Sequence, residues 1–254
     1  MKRAYWDRLA DRYSDDVLEI TAIDTKRLFA RTAASFGGAH AVAADFGCGV
    51  GATTRALAPY FERVIGVDFS PKLLAEAKRR TNIGNVSYVL ADLGAAKAPR
   101  VVADAGFCVN CLIAPNDEIR ARIARNVARC VRNGGLVAFV VPALESVLRT
   151  YQALIRLDVA DGTGRGPATR RVAALAKREV RSIVEGIVEI GGEPTKHYLG
   201  DEIAEFLTDA GFTIDTIDRI EYAWDVELEL GDHPPALLGG RTPWDWLLVG
   251  KRTP

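Results

Sequence analysis

Three glycines and a handful of polar residues carry the chemistry available to this sequence. Gly47, Gly49 and Gly51 interrupt an apolar run, Ala41 to Phe46, that reads as a buried strand. A helix is expected next, from Thr53 to Pro59. Strand, glycine turn and helix start together suit an anion or a nucleotide. Glycine lets backbone approach a ligand, and the first helical N–H groups face it. Asp45 stands just before the turn, Asp68 ends the next apolar run, and Asp92 and Asn110 close the two after that. Ligands of open α/β sheets bind outside the carboxyl ends of the strands, so these four side chains should converge. A carboxylate at such an end, here Asp68, can bridge two ribose hydroxyls.

Two ligand classes use this arrangement. For a dinucleotide, Gly47, Gly49 and Ala52 fit G-x-G-x-x-G/A, and Asp68 lies near the position of a ribose carboxylate. The other class is S-adenosylmethionine, which carries an ammonium, a carboxylate, a sulfonium and a ribose diol. Asp45 suits the ammonium, whereas beside a pyrophosphate it would repel. As a bland alternative, Asp45 braces the loop. A dinucleotide enzyme would not call for Asp45 and Asp92 together.

These residues resemble the class I S-adenosylmethionine-dependent methyltransferase family. Its acid-x-G-x-G-x-G motif stands as Asp45-Phe46-Gly47-Cys48-Gly49-Val50-Gly51, and its second acid as Asp68, followed by Phe69-Ser70-Pro71. The likeness extends over most of residues 1–252 and is weakest between Glu145 and Lys196. It implies a donor site containing Gly47, Cys48, Gly49, Asp68 and Ala91. Asp92 would meet the adenine amino group, with Phe69 and Leu93 against the ring. Asp104 to Leu112 matches the fourth-strand pattern and puts Asn110 in register. The family's usual His two residues after that Leu is absent, and Ala114 stands there. The pattern Tyr5-Trp6-Asp7-x-x-Ala10-x-x-Tyr13 implies a helix covering the donor, with Tyr13 toward it. Plain core packing gives the same aromatic spacing.

The elements that must position these residues alternate. Strands are expected at Val64–Asp68, Val86–Leu90, Val101–Val109 and Leu136–Val141, with helices between them from Ser70-Pro71 and over Glu118–Arg132. The second of those helices should stop at Asn133-Gly134-Gly135. Parallel β-α-β units follow from this order. A helix over Asp201–Asp209 leads to strands at Thr213–Trp224 and Trp244–Gly250. With no helix between them, these two must be antiparallel neighbours. The expected fold is therefore α/β and doubly wound. Its seven-stranded, mostly parallel sheet has helices on both faces, an antiparallel C-terminal hairpin and a helical/β lid inserted after strand five. The expected division is a helical cover over 1–35, a donor-binding core over 36–142, the lid over 143–199 and the rest of the core over 200–254. Within the lid, one strand is expected at Ser182–Ile190. A basic cluster of Arg165, Arg170, Arg171, Lys177, Arg178 and Arg181 reads as a solvated helix face or as a surface meeting an acidic substrate.

Lys plus Arg and Asp plus Glu number 33 each, so a nucleic-acid partner is not expected. No apolar run approaches membrane-spanning length, and the N-terminus does not read as a signal peptide. Four cysteines, mostly in apolar settings, suggest reduced thiols in a soluble cytoplasmic protein. Cys108 and Cys111 form a lone C-x-x-C with no second pair and no nearby His, so core packing is expected and no metal. Among three histidines, His197 with its neighbour Tyr198 is the best base candidate on the substrate side, although a surface or capping His would read the same. The expected function is methyl transfer from S-adenosylmethionine to a small-molecule acceptor, with O or N favoured. An NAD-type oxidoreductase and a non-catalytic S-adenosylmethionine-binding module are the alternatives.

Overall fold

The structure is a computed structural model that describes residues 3–9, 19–228, 230 and 233–254. Its parallel strands are β1 (Gly38–Phe46), β2 (Phe61–Asp68), β3 (Val86–Leu90), β4 (Ala103–Val109) and β5 (Val131–Pro142). Three short strands, β6 (Val180–Ser182), β7 (Ile187–Ile190) and β8 (Glu193–Lys196), form a separate antiparallel sheet. The C-terminal strands β9 (Phe212–Glu221) and β10 (Trp244–Arg252) complete the main sheet, in the order β3-β2-β1-β4-β5-β10-β9. β10 runs antiparallel to both β5 and β9. The strand order reverses between β1 and β4, which is where such sheets open a ligand crevice.

Helices cover both faces. On one side, α2 (Ile20–Ile23), α3 (Leu28–Phe36) and α4 (Ala52–Leu57) pack Ile20, Phe29, Phe36 and Leu57 on Val64, Phe107 and Leu247. On the other, α6 (Asp117–Cys130) and α9 (Gly200–Asp209) pack Ile123, Val127, Ile203 and Leu207 on Phe139 and Leu248. α5 (Pro71–Arg80) begins as its sequence dictates. The Ser70 hydroxyl accepts the Leu73 N–H at 3.1 Å, and Pro71 fills the first turn. No helix among the described residues is long and apolar enough to cross a membrane.

Three expectations need correction. Among its described residues, the expected helical cover over 1–35 is more than one helix. α1 (Arg3–Leu9), α2 and α3 are separate, and Asp24 makes one of the breaks. Its carboxylate accepts the N–H groups of Lys26 (3.1 Å) and Phe29 (2.8 Å), capping α3 from outside. The expected donor contact at Tyr13 lies outside the described residues. α6 does not run on to Asn133. It ends at Cys130, and Gly134 and Gly135 sit within β5, opposite a register shift in β4, with Gly134 at φ 72°. In the insertion, the single expected strand is β6 and β7, and the Gly191-Gly192 turn leads into a third strand, β8. Two helices precede that sheet, α7 (Leu144–Ala160) and α8 (Arg165–Glu179).

Candidate active site

A cavity of ≈ 580 Å³ runs along the carboxyl ends of the parallel strands. This lies within the range of about 300–1,000 Å³ usual for small-molecule sites. At one end, the turn after β1 is fixed by its own hydrogen bonds. Gly47 and Cys48 both donate to the Val67 carbonyl, at 2.8 and 3.0 Å. The turn takes left-handed backbone at Gly47 (φ 78°), Gly49 (53°) and Gly51 (80°). A Cβ on Gly47 would come within 2.6 Å of the Cys111 sulfur, so only glycine fits there.

Asp68 ties this turn to the next strand. One carboxylate oxygen accepts the Gly49 N–H at 3.0 Å and the other the Ser70 N–H at 2.8 Å. Burial raises its pKa, and the backbone N–H groups of Ser70, Gly49 and Phe69 oppose the rise. Each oxygen keeps a lone pair for a ligand hydroxyl. Asp92, Ala91, Leu93 and Phe69 line the cavity beside it, with Ile119 of α6 across from them. α1 lies over this end. The Arg3 guanidinium sits 5.7 Å from the Phe69 ring centroid, the Ser70 hydroxyl bonds to Asp7, and Trp6 packs on Val50 and Leu73.

Of the expected donor residues, Gly47, Cys48, Gly49, Asp68, Phe69, Ala91, Asp92, Leu93 and Asn110 line one cavity. Asp45 does not. Its carboxylate accepts the Thr54 hydroxyl at 2.6 Å, and neither residue reaches the cavity. Burial pushes its pKa up to about 7, against the Thr54 hydrogen bond. Here Asp45 braces α4 against β1. The expectation for Tyr198 also needs correcting, because that residue is core. It is 1 % exposed, its hydroxyl donates to the Leu112 carbonyl at 2.6 Å, and the ammonium of buried Lys196 lies 4.8 Å from its ring centroid. It follows a strand that must be stitched to the sheet. Lys196 donates its N–H to Ile113, and Tyr198 donates to Pro142. His197 between them does line the cavity. Its Nδ1 lies 3.1 Å from the Thr195 carbonyl, which can only accept, so Nδ1 carries the proton and Nε2 is the acceptor. Burial lowers its pKa to about 4, so the ring is neutral at pH 7.

The far end of the cavity was not marked in the sequence. Ser146 of α7, Tyr222 after β9, Glu227 of α10 (Trp224–Glu227), and Trp244 and Asp245 at the start of β10 line it. β10 is antiparallel, so its first residues, not its last, reach the ligand edge. The one available signal was an acid between two tryptophans at the head of an apolar strand, Trp244-Asp245-Trp246. The basic cluster of α8 and β6 is absent from the cavity lining, and Arg171 pairs with Asp158 of α7. Among the described residues, no group of three or more His, Cys, Asp or Glu side chains is placed to hold a metal ion. The four cysteines are free thiols.

Comparison with known proteins agrees with this geometry. Residues 43–135 match the methyltransferase domain family. Residues 43–135 therefore carry a methyltransferase domain, and the whole chain shares the fold of solved S-adenosylmethionine-dependent methyltransferases. A curated relative, malonyl-[acyl-carrier protein] O-methyltransferase 2 of Coxiella burnetii, is 42 % identical over 53 residues. That match covers 20 % of this chain and only 21 % of the relative's length. Solved structures share the fold more widely. DhpI in complex with SAH has a TM-score of 0.62 at 18 % identity, covering 99 % of this chain and 95 % of that one. The N-methyltransferase NodS of Bradyrhizobium japonicum WM9, bound to S-adenosyl-L-homocysteine, scores 0.58 at 14 % identity over 97 % and 98 %. A methyltransferase in complex with the Haloferax volcanii activator Trm112 scores 0.61 at 17 % over 98 % of both chains.

Proposed function

We propose that this protein transfers the methyl group of S-adenosylmethionine to the oxygen or nitrogen of a small molecule in the cytoplasm. The observation that carries the reading is the continuity of one cavity. It runs from the Asp68 and Asp92 strand ends, past Asn110, into a far compartment lined by Tyr222, Glu227 and Asp245. A module that only bound the donor would not call for that compartment. The residues present suit the donor. The two oxygens of Asp68 match a ribose diol, Asp92 with Phe69 and Leu93 matches an adenine, and the turn of Gly47, Cys48 and Gly49 leads toward the amino-acid end. The donor supplies an electrophilic methyl group on a sulfonium that leaves as a neutral thioether.

The chain then has to exclude water and align the acceptor. Alignment of this kind can contribute several kcal/mol, out of about 7–11 kcal/mol for ideally oriented reactants. Residues 143–199 serve as the acceptor-side cover, through Ser146, Val147, Ile190, Thr195 and His197, with α1 opposite. Relatives support either acceptor atom, since one is an O-methyltransferase and another an N-methyltransferase. Isothermal titration tests the donor assignment. S-adenosylmethionine or its demethylated product SAH should bind, and NAD should not. Tight NAD binding with no response to either methionine ligand would overturn it.

A further inference from the structure

We infer that the far compartment takes an amine, recognised as its ammonium by Asp245 and Glu227 and methylated on that nitrogen. This rests on the donor assignment proposed above. Asp245 is 7 % exposed and lines the cavity, and its nearest hydrogen-bond donor is the Asn110 amide, at a long 3.5 Å. That contact leaves the Asn110 Oδ1 buried with no donor among the described residues. Glu227 accepts the Thr150 hydroxyl at 3.2 Å and lies close enough to Asp245 to raise its pKa. Glu227 is also hydrogen-bonded by Tyr222, so the poorly satisfied acceptor facing the cavity is Asp245, whose one donor among the described residues is the distant Asn110 amide. An ammonium brings three donors and a charge; a hydroxyl brings one donor and no charge. A carboxylate would bring an anion beside these two acids with no cation to offset it, at high cost.

Two further features describe the compartment and the charge it suits. Trp244, 5 % exposed, lines the same cavity, and its indole N–H has no partner among the described residues. The cavity also lacks cations where an anionic acceptor would need them. Arg122 is the one Lys or Arg among the described lining residues, and it stands on α6 one turn from Ile119, at the Asp92 end. Burial raises the pKa of Asp245 to about 7, opposed by the Asn110 amide and helped by Glu227, so the carboxyl is poised to ionise when a cation arrives. In the reaction its carboxylate takes one proton from the ammonium. The freed nitrogen lone pair forms the N–C bond to the donor's methyl carbon, and the C–S bond breaks with its electron pair left on sulfur. His197, neutral and with a pKa lowered to about 4, is the weaker proton acceptor.

Calorimetry on the full chain, first with SAH and then with matched probes on the SAH-saturated protein, tests the inference. The probes are benzylamine, benzyl alcohol and benzoate, with hexylamine, hexanol and hexanoate as a linear set. At least one amine should bind about tenfold more tightly than its matched alcohol and carboxylate. Asp245→Asn and Glu227→Gln should each weaken that amine about fivefold or more, with SAH affinity kept within about twofold. An alcohol or carboxylate binding as well as its amine, or no amine binding beside SAH, overturns the inference without needing any variant. Amine affinity unchanged in both variants does the same. Loss of SAH affinity in Asp245→Asn would put the acid at the donor end, overturning this inference while leaving the donor assignment intact. If the unaltered protein fails to bind SAH, the donor assignment falls, and this inference with it.

Discussion

Asp245 is costly to keep. A carboxyl whose folded pKa is about 7 against 3.8 when exposed holds its proton more tightly in the folded state. Its contribution to stability is therefore complete below pH 4 and is lost as pH rises through 7. Three units correspond to about 4 kcal/mol at most. The groups facing it are Glu227, Tyr222 and Asn110, none of which supplies a compensating cation. Asp245→Asn should thus raise the melting temperature at pH 8 by several degrees and leave it nearly unchanged at pH 4. Calorimetric scans of both proteins at the two pH values check this, and a variant less stable at pH 8 would refute it. At this scale the sequence was informative where a motif fixes the backbone, at Gly47, Gly49, Asp68 and Asp92. It misled at Asp45 and Tyr198, because side-chain direction at a strand end depends on neighbours such as Thr54 and Leu112 that come from other elements. Asp245 went unmarked because it stands in a strand that reads as core.

Elements were legible in proportion to their local signals. Ser70-Pro71 announced α5, and the strand-helix alternation announced the parallel sheet. The three-stranded sheet of the insertion was not legible, since its strands are three or four residues long and their pairing is decided by turns. One turn residue there bears directly on the site. Gly186 has φ 64°, its carbonyl accepts the His197 N–H at 2.7 Å, and a Cβ on it would overlap the His197 carbonyl. Gly186→Ala must therefore push β8 away from β7 or strain the turn, at a cost of about 1 kcal/mol or more. Because β8 carries His197 to the cavity wall, amine-probe affinity should fall severalfold while SAH affinity stays unchanged. Titration of the variant with both ligands decides the matter. A parallel loss of SAH binding would mean that β8 supports the donor end as well.

At the scale of the whole molecule, the cavity divides charge unevenly. Acids line it from Asp68 to Asp245, whereas the six cations of the basic cluster, Arg165 to Arg181, lie outside it. The glycine-rich stretch Gly162-Thr163-Gly164 followed by a basic helix invites the reading of a lid that clamps an acidic substrate. The packing argues otherwise. Arg171 forms two hydrogen bonds to Asp158 of α7, at 2.6 and 2.5 Å, Arg181 pairs with Glu189 of β7, and α7 packs through Ala153 and Leu157 on Trp224 and Leu238. The cluster fastens the insertion to itself, and its remaining charge faces water. Reversing charge at both Arg170 and Arg171 should therefore leave SAH affinity and amine-probe affinity within about twofold of the original. Stability should drop by about 1 kcal/mol or less, because the Arg171 side chain is 55 % exposed and such pairs contribute little in water. Thermal scans and paired titrations at low and physiological salt measure both quantities. A probe affinity that moved with these charges and recovered in salt would show that the basic face steers the acceptor into the cavity from a distance. The separation between a self-fastened basic exterior and an acid-lined interior would then be wrong.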